Sequence, residues 1–325
     1  MKVFITRIIP QAGLNLLRER GLEIEMWREK RELTQEELIE AAQKADAIIS
    51  AGAVTMNKYF LDKCKHLKVI SLHKAGFDNV DIAEATRLKI PVGNTPEVLS
   101  HATAEIAFLL MISVARKAFY HYRRILNGEW NFFEPTKDLG IELTGKTLGI
   151  FGLGKIGFEM AKKAKSAYGM NIIYHNRGTN AKAEMELTAR RVSFTDLLTN
   201  SDVLSVHTSL HAGTKGIFDA AAFSKMKPTS IFINTSRGAV HNESDLYEAV
   251  KNGTIWGAGL DVTDPEPMDK DDPLLFLPNV AVLPHIGSST AETRAAMSVL
   301  AARNAIAGLK GERLPNCVNP EVYEE

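Results

Sequence analysis

A short glycine-rich segment constrains the fold of this chain more than any other feature. Gly152, Gly154 and Gly157 form the pattern G-x-G-x-x-G between the apolar segment Thr147–Phe151 and the helical segment Phe158–Tyr168. In this context the pattern is typical of a dinucleotide-binding β-α-β unit. The first glycine permits a tight turn, the second lets a pyrophosphate approach the backbone, and the third lets helix and strand pack closely. The N-terminus of the helix then offers N–H groups to the phosphates.

The residues after the next strand indicate which dinucleotide binds. A site that prefers NAD places Asp or Glu there, about 20 residues beyond the glycines, to bind the ribose hydroxyls. Here the strand Asn171–His175 ends in Asn176-Arg177, and no carboxylate is present. Arg177 can pair with a 2′-phosphate as a cation, and Asn176 can form a hydrogen bond to it. The sequence therefore predicts that NADP(H) is the preferred cofactor, with NAD(H) as the second option.

Apolar strand segments alternate with amphipathic helical segments on both sides of the glycine loop. This alternation predicts an α/β fold with parallel sheets covered by helices. Between the two series lie a long helical segment, His101–Leu126, and an aromatic-rich loop, Asn127–Gly140. The length of 325 residues suggests two domains. We expect two doubly wound parallel-sheet domains, with a Rossmann nucleotide-binding domain at 100–288 inserted into a flavodoxin-like substrate domain at 1–99 and 289–325.

The charge balance and the cysteine content exclude several classes of protein. The 39 Lys and Arg residues match the 39 Asp and Glu residues, whereas binding to nucleic acid or to anionic lipid usually requires a basic excess. Cys64 and Cys317 have no nearby Cys partner, which argues against a disulfide framework and a zinc site. Met1–Pro10 lacks the features of a targeting segment, and Ile106–Val114 is shorter than the roughly 20 apolar residues that cross a bilayer. We therefore expect a cytoplasmic protein that binds no nucleic acid, membrane or metal.

Three later segments place polar residues where predicted parallel strands end, which is where ligands bind in open α/β sheets. They are Asn234–Gly238, Gly259–Val262 with the following Glu266-Pro267, and Leu283–Gly287. Together they supply Arg237, Glu266 and His285, each of which alone would also fit a structural or solvated role. An Arg can bind a carboxylate through two hydrogen bonds, and a His can donate a proton to a carbonyl oxygen while hydride reaches the carbon. A neighbouring Glu favours the imidazolium and fixes its ring. The set predicts reduction of a 2-oxo acid.

Over nearly its whole length the chain resembles the D-isomer-specific 2-hydroxyacid dehydrogenases. The resemblance is carried by Ala75–Asp81 (AGFDNVD), Asn94-Thr95-Pro96 with Thr103-Ala104-Glu105, Leu143–Lys146 before the glycine loop, and the three segments just described. Within the family the chain is most similar to the glyoxylate/hydroxypyruvate reductases, through Asp261–Pro267 (DVTDPEP) and Pro284–Thr290 (PHIGSST).

This resemblance implies roles for individual residues. Arg237 would hold the substrate carboxylate together with backbone groups of Ala75 and Gly76, His285 would donate the proton, and Glu266 would be its partner. In addition to Asn176 and Arg177, the implied cofactor contacts are Thr103, Gly152, Gly154, Lys155, Ile156, Gly157, Thr235, Ser236, Asp261 and Gly287, with Asp261 near the nicotinamide amide. Family members are usually homodimers joined through their nucleotide domains. The resemblance therefore implies a homodimer in which the loop around Trp130 and Phe133 reaches toward the partner's active site.

The sequence leaves two functions open. The first, which we expect, is NADPH-dependent reduction of glyoxylate, hydroxypyruvate or a similar small 2-oxo acid to the D-2-hydroxy acid. The second is a nucleotide-sensing, non-catalytic interaction protein of the same fold, similar to the C-terminal-binding corepressors, which can keep the same Arg, Glu and His. Oxidation of NADPH by a 2-oxo acid distinguishes the two functions.

Overall fold

The computed structural model describes residues 1–324. The chain divides into two compact units, Met1–Leu99 with the segment that begins at Ser288, and Ser100–Gly287. Each unit is built on one parallel sheet, which confirms the predicted α/β class with two parallel-sheet domains. Ser288 itself, which we expected in the larger unit, groups with the first.

The first unit contains a five-stranded sheet. Its strands are β1 (Lys2–Ile5), β2 (Glu23–Met26), β3 (Ala47–Ser50), β4 (Val69–Leu72) and β5 (Val92–Gly93). Its α-helices are α1 (Gln11–Glu19), α2 (Gln35–Gln43), α3 (Lys58–Lys63), α4 (Ile82–Arg87) and, after the second unit, α12 (Ala291–Leu309). The strand order is β2-β1-β3-β4-β5, the flavodoxin-like order. β3 and β4 are buried at every position, as expected for inner strands of a parallel sheet covered on both faces.

Helix α12 packs against α1 at the start of the chain. Ser298 Oγ donates to the carbonyl of Pro10 (2.8 Å) and accepts from the N–H of Gly13 (3.0 Å). A Cβ on Gly13 would lie 2.1 Å from Ser298 Oγ, so the helices approach this closely only because residue 13 is glycine. Helix α12 therefore covers the sheet that the first 99 residues form.

The second unit contains a seven-stranded sheet. Its strands are β6 (Thr147–Phe151), β7 (Asn171–His175), β8 (Arg190–Arg191), β9 (Val203–Val206), β10 (Ile231–Asn234), β11 (Gly257–Leu260) and β12 (Val280–Val282). Its helices are α5 (Ser100–Ala115), α6 (Ala118–Leu126), α7 (Lys155–Tyr168), α8 (Ala181–Leu187), α9 (Phe194–Asn200), α10 (Ala220–Phe223) and α11 (Glu243–Lys251). The strand order is β8-β7-β6-β9-β10-β11-β12, so the direction of winding reverses between β6 and β9. In such sheets ligands bind at the carboxyl ends of the strands beside this reversal.

The long helical segment predicted at His101–Leu126 is two helices, so this prediction was wrong. They are separated by a break at Lys117, whose backbone is left-handed with a φ of 51°. The carbonyl of Ala115 accepts the N–H of Ile141 (2.8 Å), and the Lys117 ammonium lies 5.1 Å from the ring centre of Trp256. These contacts come from distant parts of the chain, whereas the local pattern on either side of the break is helical.

Three further features bear on the classes of protein considered above. Among residues 1–324, no helix is long and apolar enough to cross a membrane. The same residues include no group of three or more His, Cys, Asp or Glu side chains placed to hold a metal ion. Cys64 and Cys317 are free thiols, and burial raises the pKa of Cys64 to about 11, so this thiol is protonated at neutral pH.

Candidate active site

The glycine loop between β6 and α7 has a different environment at each glycine. Gly152 has a φ of 93°, and a Cβ there would lie 2.8 Å from the carbonyl oxygen of His207. A Cβ on Gly157 would lie 2.8 Å from the carbonyl oxygen of Gly152. Gly154 is exposed, and a Cβ there would have no atom within 4 Å. The loop therefore packs against protein at two glycines and borders open space at the third.

The start of α7 adds an anion-binding element beside that open space. The helix begins at Lys155, directly after Gly154, and Ile156 follows in its first turn. Backbone N–H groups in the first turn of a helix have no acceptor within the helix, and the helix dipole gives this end a partial positive charge. The geometry therefore suits the pyrophosphate of a dinucleotide.

A network of side-chain bonds joins the end of β7 to the glycine loop. Asn176 Oδ1 accepts the N–H of Leu153 (2.7 Å), and Asn176 Nδ2 donates to the carbonyl of Leu153 (3.2 Å). Arg177 is exposed, and the carbonyls of Asn176 and Arg177 both accept from the guanidinium of Arg191, at 3.1 and 2.7 Å. The Asn176 amide, expected to contact the cofactor, thus also fixes the glycine loop.

Asn234, the last residue of β10, organises the segment that carries Arg237. Its buried Oδ1 accepts both the N–H (2.9 Å) and the hydroxyl (2.8 Å) of Ser236, and its Nδ2 donates to the carbonyl of Arg237 (2.8 Å). Arg237 Nη1 donates to the carbonyl of Ser236 (2.7 Å). Asn234 Nδ2 also lies 3.1 Å from Nδ1 of His241, which is neutral near pH 7 because burial lowers its pKa to about 4. A neutral ring nitrogen can accept this bond.

Thr235 contacts a second neutral histidine. Its hydroxyl lies 3.3 Å from Nδ1 of His207, and the hydroxyl of Ser205 lies 2.8 Å from Nε2 of the same ring. Burial lowers the pKa of His207 to about 3, so the ring carries no charge near neutral pH. His207 therefore connects the ends of β9 and β10 without adding a charge to the site.

Asp261 follows β11 and anchors the segment after His285. Its Oδ1 accepts the N–H of Ile286 (2.8 Å), and its Oδ2 accepts the N–H of Gly287 (2.7 Å). Burial raises the pKa of the Asp261 carboxyl, and the two N–H bonds oppose that effect. A Cβ on Gly287 would lie 2.9 Å from Asp261 Oδ2 and 3.2 Å from Thr103 Cγ2. Three residues expected to contact the cofactor, Thr103, Asp261 and Gly287, therefore lie together.

Glu266 and His285 form a hydrogen-bonded pair. His285 Nδ1 lies 2.7 Å from Glu266 Oε1, so Nε2 points away from the carboxylate. The side chain of His285 is 49% exposed and that of Glu266 is 41% exposed, so both are accessible to a substrate. The backbone of His285 is left-handed, with a φ of 53°. Strained residues of this kind cluster at functional sites where the surrounding structure holds them, here through the bonds of Asp261 to the next two residues.

The loops after β10 and β11 pack directly against each other. A Cβ on Gly238 would lie 2.0 Å from the carbonyl oxygen of Thr263, a distance no other residue tolerates. Glu243 Oε2 accepts the backbone N–H of the residue after Thr263 (2.8 Å), and burial raises the pKa of Glu243. These contacts hold the segment of Arg237 against the segment that leads to Glu266.

The predicted substrate loop, Ala75-Gly76, follows β4 in the first unit. Asn94 Nδ2 donates to the carbonyl of Ala75 (2.7 Å), and the N–H of Thr95 donates to the carbonyl of Lys74 (3.0 Å). Lys74 Nζ donates to the carbonyl of Gly52 (2.9 Å). The loop is therefore held by the segments that follow β3 and β5.

The sequence analysis predicts which residues contact ligands but does not predict the residues that position them. His207 and Arg191 contact residues at the ends of neighbouring strands, whereas Asn234 and His241 contact each other within the segment after β10. Asn234 could have been found, because a polar residue that ends an apolar strand must have a hydrogen-bond partner. The partners of His207 and of Arg191 depend on strand order, and the contact of His241 with Asn234 depends on the shape of the loop between them; no local pattern shows either.

The chain is similar to known proteins over nearly its whole length. The model of the D-isomer specific 2-hydroxyacid dehydrogenase NAD-binding domain matches residues 108–287. A glyoxylate reductase from Thermococcus litoralis is 43% identical, covering 99% of this chain and 97% of the relative. The crystal structure of a glyoxylate reductase from Paecilomyes thermophila has a TM-score of 0.87 at 33% identity, covering 99% of this chain and 98% of that one. An NADPH-dependent glyoxylate/hydroxypyruvate reductase from Sinorhizobium meliloti, solved with NADP and malonate, has a TM-score of 0.84 at 29% identity, covering 99% and 97%.

These likenesses extend over both units and include the segments that carry the glycine loop, Arg237, Glu266 and His285. The family model covers more than half of the chain, and a relative above 30% identity covers almost all of it. The protein is an oxidoreductase that uses a nicotinamide cofactor, and the chain belongs to the family of NAD(P)-dependent, D-isomer-specific 2-hydroxyacid dehydrogenases.

Proposed function

We propose that this enzyme uses NADPH to reduce glyoxylate, hydroxypyruvate or a similar small 2-oxo acid to the D-2-hydroxy acid. The observation that carries the proposal is the 2.7 Å contact between His285 Nδ1 and Glu266 Oε1. It supplies a positioned acid on the same edge of the sheet as Arg237. The names of the relatives from Thermococcus litoralis and Sinorhizobium meliloti support the substrate class, since both are reductases of glyoxylate.

His285 is the proton donor in this proposal. Its Nδ1–H donates to Glu266, so Nε2 carries the proton that the carbonyl oxygen of the substrate receives. Glu266 keeps the ring in one orientation and compensates the positive charge of the imidazolium. Because both side chains are partly exposed, solvent can return the proton after each turnover. A positioned general acid typically contributes about 10²–10⁴-fold to the rate.

Arg237 binds the carboxylate of the substrate. Its bond to the carbonyl of Ser236 orients the guanidinium, and Asn234 fixes the backbone from which the side chain extends. The planar fork of a guanidinium matches the two oxygens of a carboxylate, which holds the adjacent carbonyl in one position. We also propose a substrate-binding role for the backbone groups of Ala75 and Gly76, as the resemblance to the family implies.

The residues of the second unit fit a dinucleotide. The open space at Gly154 and the N–H groups that start α7 suit its pyrophosphate, and Thr103, Thr235, Ser236, Asp261 and Gly287 would hold the nicotinamide half. When bound, the nicotinamide supplies the hydride that reaches the carbonyl carbon of the substrate. The contacts of Asp261 with Ile286 and Gly287 keep His285 in place during that step.

NADPH is the cofactor we propose, because the turn after β7 is cationic. Arg177 is exposed there, and residues 171–183 include no Asp or Glu. A 2′-phosphate would meet positive charge at this turn, whereas the usual carboxylate for the ribose hydroxyls of NAD is missing. NAD(H) remains the second cofactor to test.

We also propose that the enzyme is a homodimer joined through its second unit and works in the cytoplasm. The side chains of Trp130, Phe132 and Phe133 are 77%, 81% and 79% exposed, and Tyr122 and Leu126 on α6 are exposed as well. Large apolar side chains exposed within one short part of the chain are typical of interaction sites. Sedimentation should give twice the mass of the chain, and Trp130→Ser with Phe133→Ser should lower it. A wild-type monomer would contradict this assembly.

A turnover assay tests the proposed reaction. The wild type should oxidise NADPH with glyoxylate or hydroxypyruvate, and His285→Ala should bind NADPH but oxidise it much more slowly. Arg190→Ala, on an edge strand away from the pair, is a control that should keep full activity. Binding of NADPH without turnover of any 2-oxo acid in a panel would instead indicate a nucleotide-sensing protein. Equal turnover by His285→Ala would rule out this residue as the donor.

A further inference from the structure

We infer that Arg191 is a second determinant of cofactor choice, because it holds the Asn176-Arg177 turn in place and adds a positive charge where a 2′-phosphate of the dinucleotide would bind. The inference rests on the proposed preference for NADPH. It assigns a role to the two-residue strand β8, which supplies no other part of the proposed site.

Arg191 binds two successive carbonyls of the turn. Its Nε donates to the carbonyl of Asn176 (3.1 Å), and its Nη2 donates to the carbonyl of Arg177 (2.7 Å). Two donors of one planar group thus fix the directions of two neighbouring peptide groups. The register of β7 and β8 places Arg191 beside Tyr174, which brings its side chain to the carboxyl end of β7.

The same turn is tied to the glycine loop on its other side. Asn176 bonds both the N–H and the carbonyl of Leu153, and Asn180 Nδ2 donates to that carbonyl as well (3.0 Å). Leu153 lies between the first two glycines of the loop. The turn is therefore held between Arg191 and the segment predicted to bind the pyrophosphate. Without Arg191, the carbonyls of Asn176 and Arg177 would lose the bonds that fix one side of the turn.

The charges around the turn favour a phosphate over a hydroxyl. Arg177 and Arg191 are both exposed, and the first carboxylate after β7, that of Glu184, accepts the hydroxyl of Tyr174 (2.6 Å). The ammonium of Lys182 lies elsewhere, over the ring of Phe158 (4.6 Å). A phosphate monoester carries a charge of about −1.5 to −2 near pH 7, so it gains from both guanidinium groups, whereas the neutral 2′-hydroxyl of NADH gains little.

Arg190 provides a matched control. It is the other residue of β8, it is exposed like Arg191, and its side chain leaves the strand in the opposite direction. It lines a surface cavity with Thr147 and Asn171, the first residues of β6 and β7, at the other end of the strands. Arg190→Ala therefore removes the same charge from the same strand without touching the turn.

The experiment compares Arg191→Ala, Arg191→Lys and Arg190→Ala in the full-length enzyme. KM and kcat are measured with NADPH and with NADH, and calorimetry gives the affinities for 2′,5′-ADP and 5′-AMP. Arg191→Ala should raise KM for NADPH and Kd for 2′,5′-ADP about tenfold, the loss expected for one charge-assisted contact. The values for NADH and 5′-AMP should stay nearly unchanged, and Arg190→Ala should resemble the wild type with all four ligands.

The remaining outcomes separate this inference from the proposed function. A wild type that prefers NADH would refute the proposed cofactor before any variant is made. If the wild type prefers NADPH, then an equal loss for both cofactors in Arg191→Ala would indicate a purely structural residue, and no loss would indicate no role; either result overturns the inference. Arg191→Lys keeps the charge but loses the fork, so it should lose NADPH affinity selectively and less than the alanine variant. A loss shared by both cofactors in this milder variant would overturn the inference in the same way.

Discussion

Replacing Gly154 with alanine should weaken cofactor binding without weakening the fold. Its backbone is extended, with φ −89° and ψ −155°, and a Cβ there would meet no protein atom within 4 Å. A Gly→Ala change at such a position usually stabilises a protein by about 0.4–1 kcal/mol, through the unfolded state. The melting temperature should therefore stay the same or rise by about 2–4 °C.

The added methyl group would stand where the pyrophosphate approaches the start of α7. A hydrogen bond to a charged group contributes about 1.5–3 kcal/mol. Losing one such bond should raise the Kd for NADPH roughly 10- to 150-fold, because each 1.4 kcal/mol corresponds to about tenfold. The substrate should still bind as before to the loaded enzyme, since Gly154 belongs to the phosphate loop alone.

Gly157→Ala is the matched comparison. Its Cβ would lie 2.8 Å from the carbonyl oxygen of Gly152 and 2.9 Å from Ile150 Cγ2, so α7 and β6 must move apart. Overpacking of this kind costs about 1–3 kcal/mol, which should lower the melting temperature by several degrees. Fluorescence titration with NADPH and thermal unfolding are measured on both variants. If Gly154→Ala binds NADPH like the wild type, or unfolds earlier than it, the open space at Gly154 is not the phosphate site.

Three further predictions concern the reaction and the buried histidines. His285→Asn should lower kcat about 100-fold or more, since general acids contribute about 10²–10⁴-fold, while the Kd for NADPH stays the same; an unchanged kcat would refute the assigned donor. Arg237→Lys should raise KM for the 2-oxo acid about tenfold or more with no change in KM for NADPH, because one fork contact is lost; equal changes in both KM values would refute the assignment. The free energy of unfolding in urea should fall as the pH drops from 6.5 toward 4. Burial lowers the pKa of His241 from 6.5 to about 4, so the unfolded chain takes up a proton that the folded chain refuses, and the full difference is worth roughly 3 kcal/mol. His241→Asn should make this slope shallower without removing it, because burial also lowers the pKa of His207. An equally steep slope in the variant would show that His241 does not contribute.

Much of the fold follows from local sequence, because each strand and helix has its own signal. Helix α2, for example, begins with a capping box of Thr34 and Glu37, with both reciprocal bonds formed, and the spacing of these two residues is a local signal for a helix start. Gly169 ends α7 in a left-handed conformation, and a glycine directly after a helical pattern is a local signal for a helix end. Strand β8 was not predicted, because two residues are too few to form a recognisable pattern of alternating apolar and polar residues. The break at Lys117 was not predicted, because the contacts around it come from distant residues. Ile141 bonds to Ala115, and Trp256 contacts Lys117.

The candidate site divides in the same way. The sequence alone predicts Arg237, Glu266 and His285, because each follows an apolar strand segment. Placing them at one site requires only the rule that ligands bind at the carboxyl ends of parallel strands. The bonds that orient them could not be predicted, because Asn234 reaches His241, and Asp261 reaches Ile286, across loops whose shape the fold decides. The position of Arg191 depends on the pairing of β7 with β8, which the sequence pattern does not predict.

The packing of α12 against α1 has a consequence for the order in which the chain folds. The bond between Gly13 and Ser298 joins residues 285 positions apart, and Ser71 Oγ on β4 donates to the carbonyl of Ala301 (2.9 Å). A ribosome would release residues 100–287 in full before it releases α12, and domains generally fold as units during synthesis. The second unit can therefore reach its final form while the first still exposes the apolar side of its sheet. The sheet of the first unit is thus synthesised before the second unit but completed after it, and its uncovered apolar side is exposed to aggregation in the meantime.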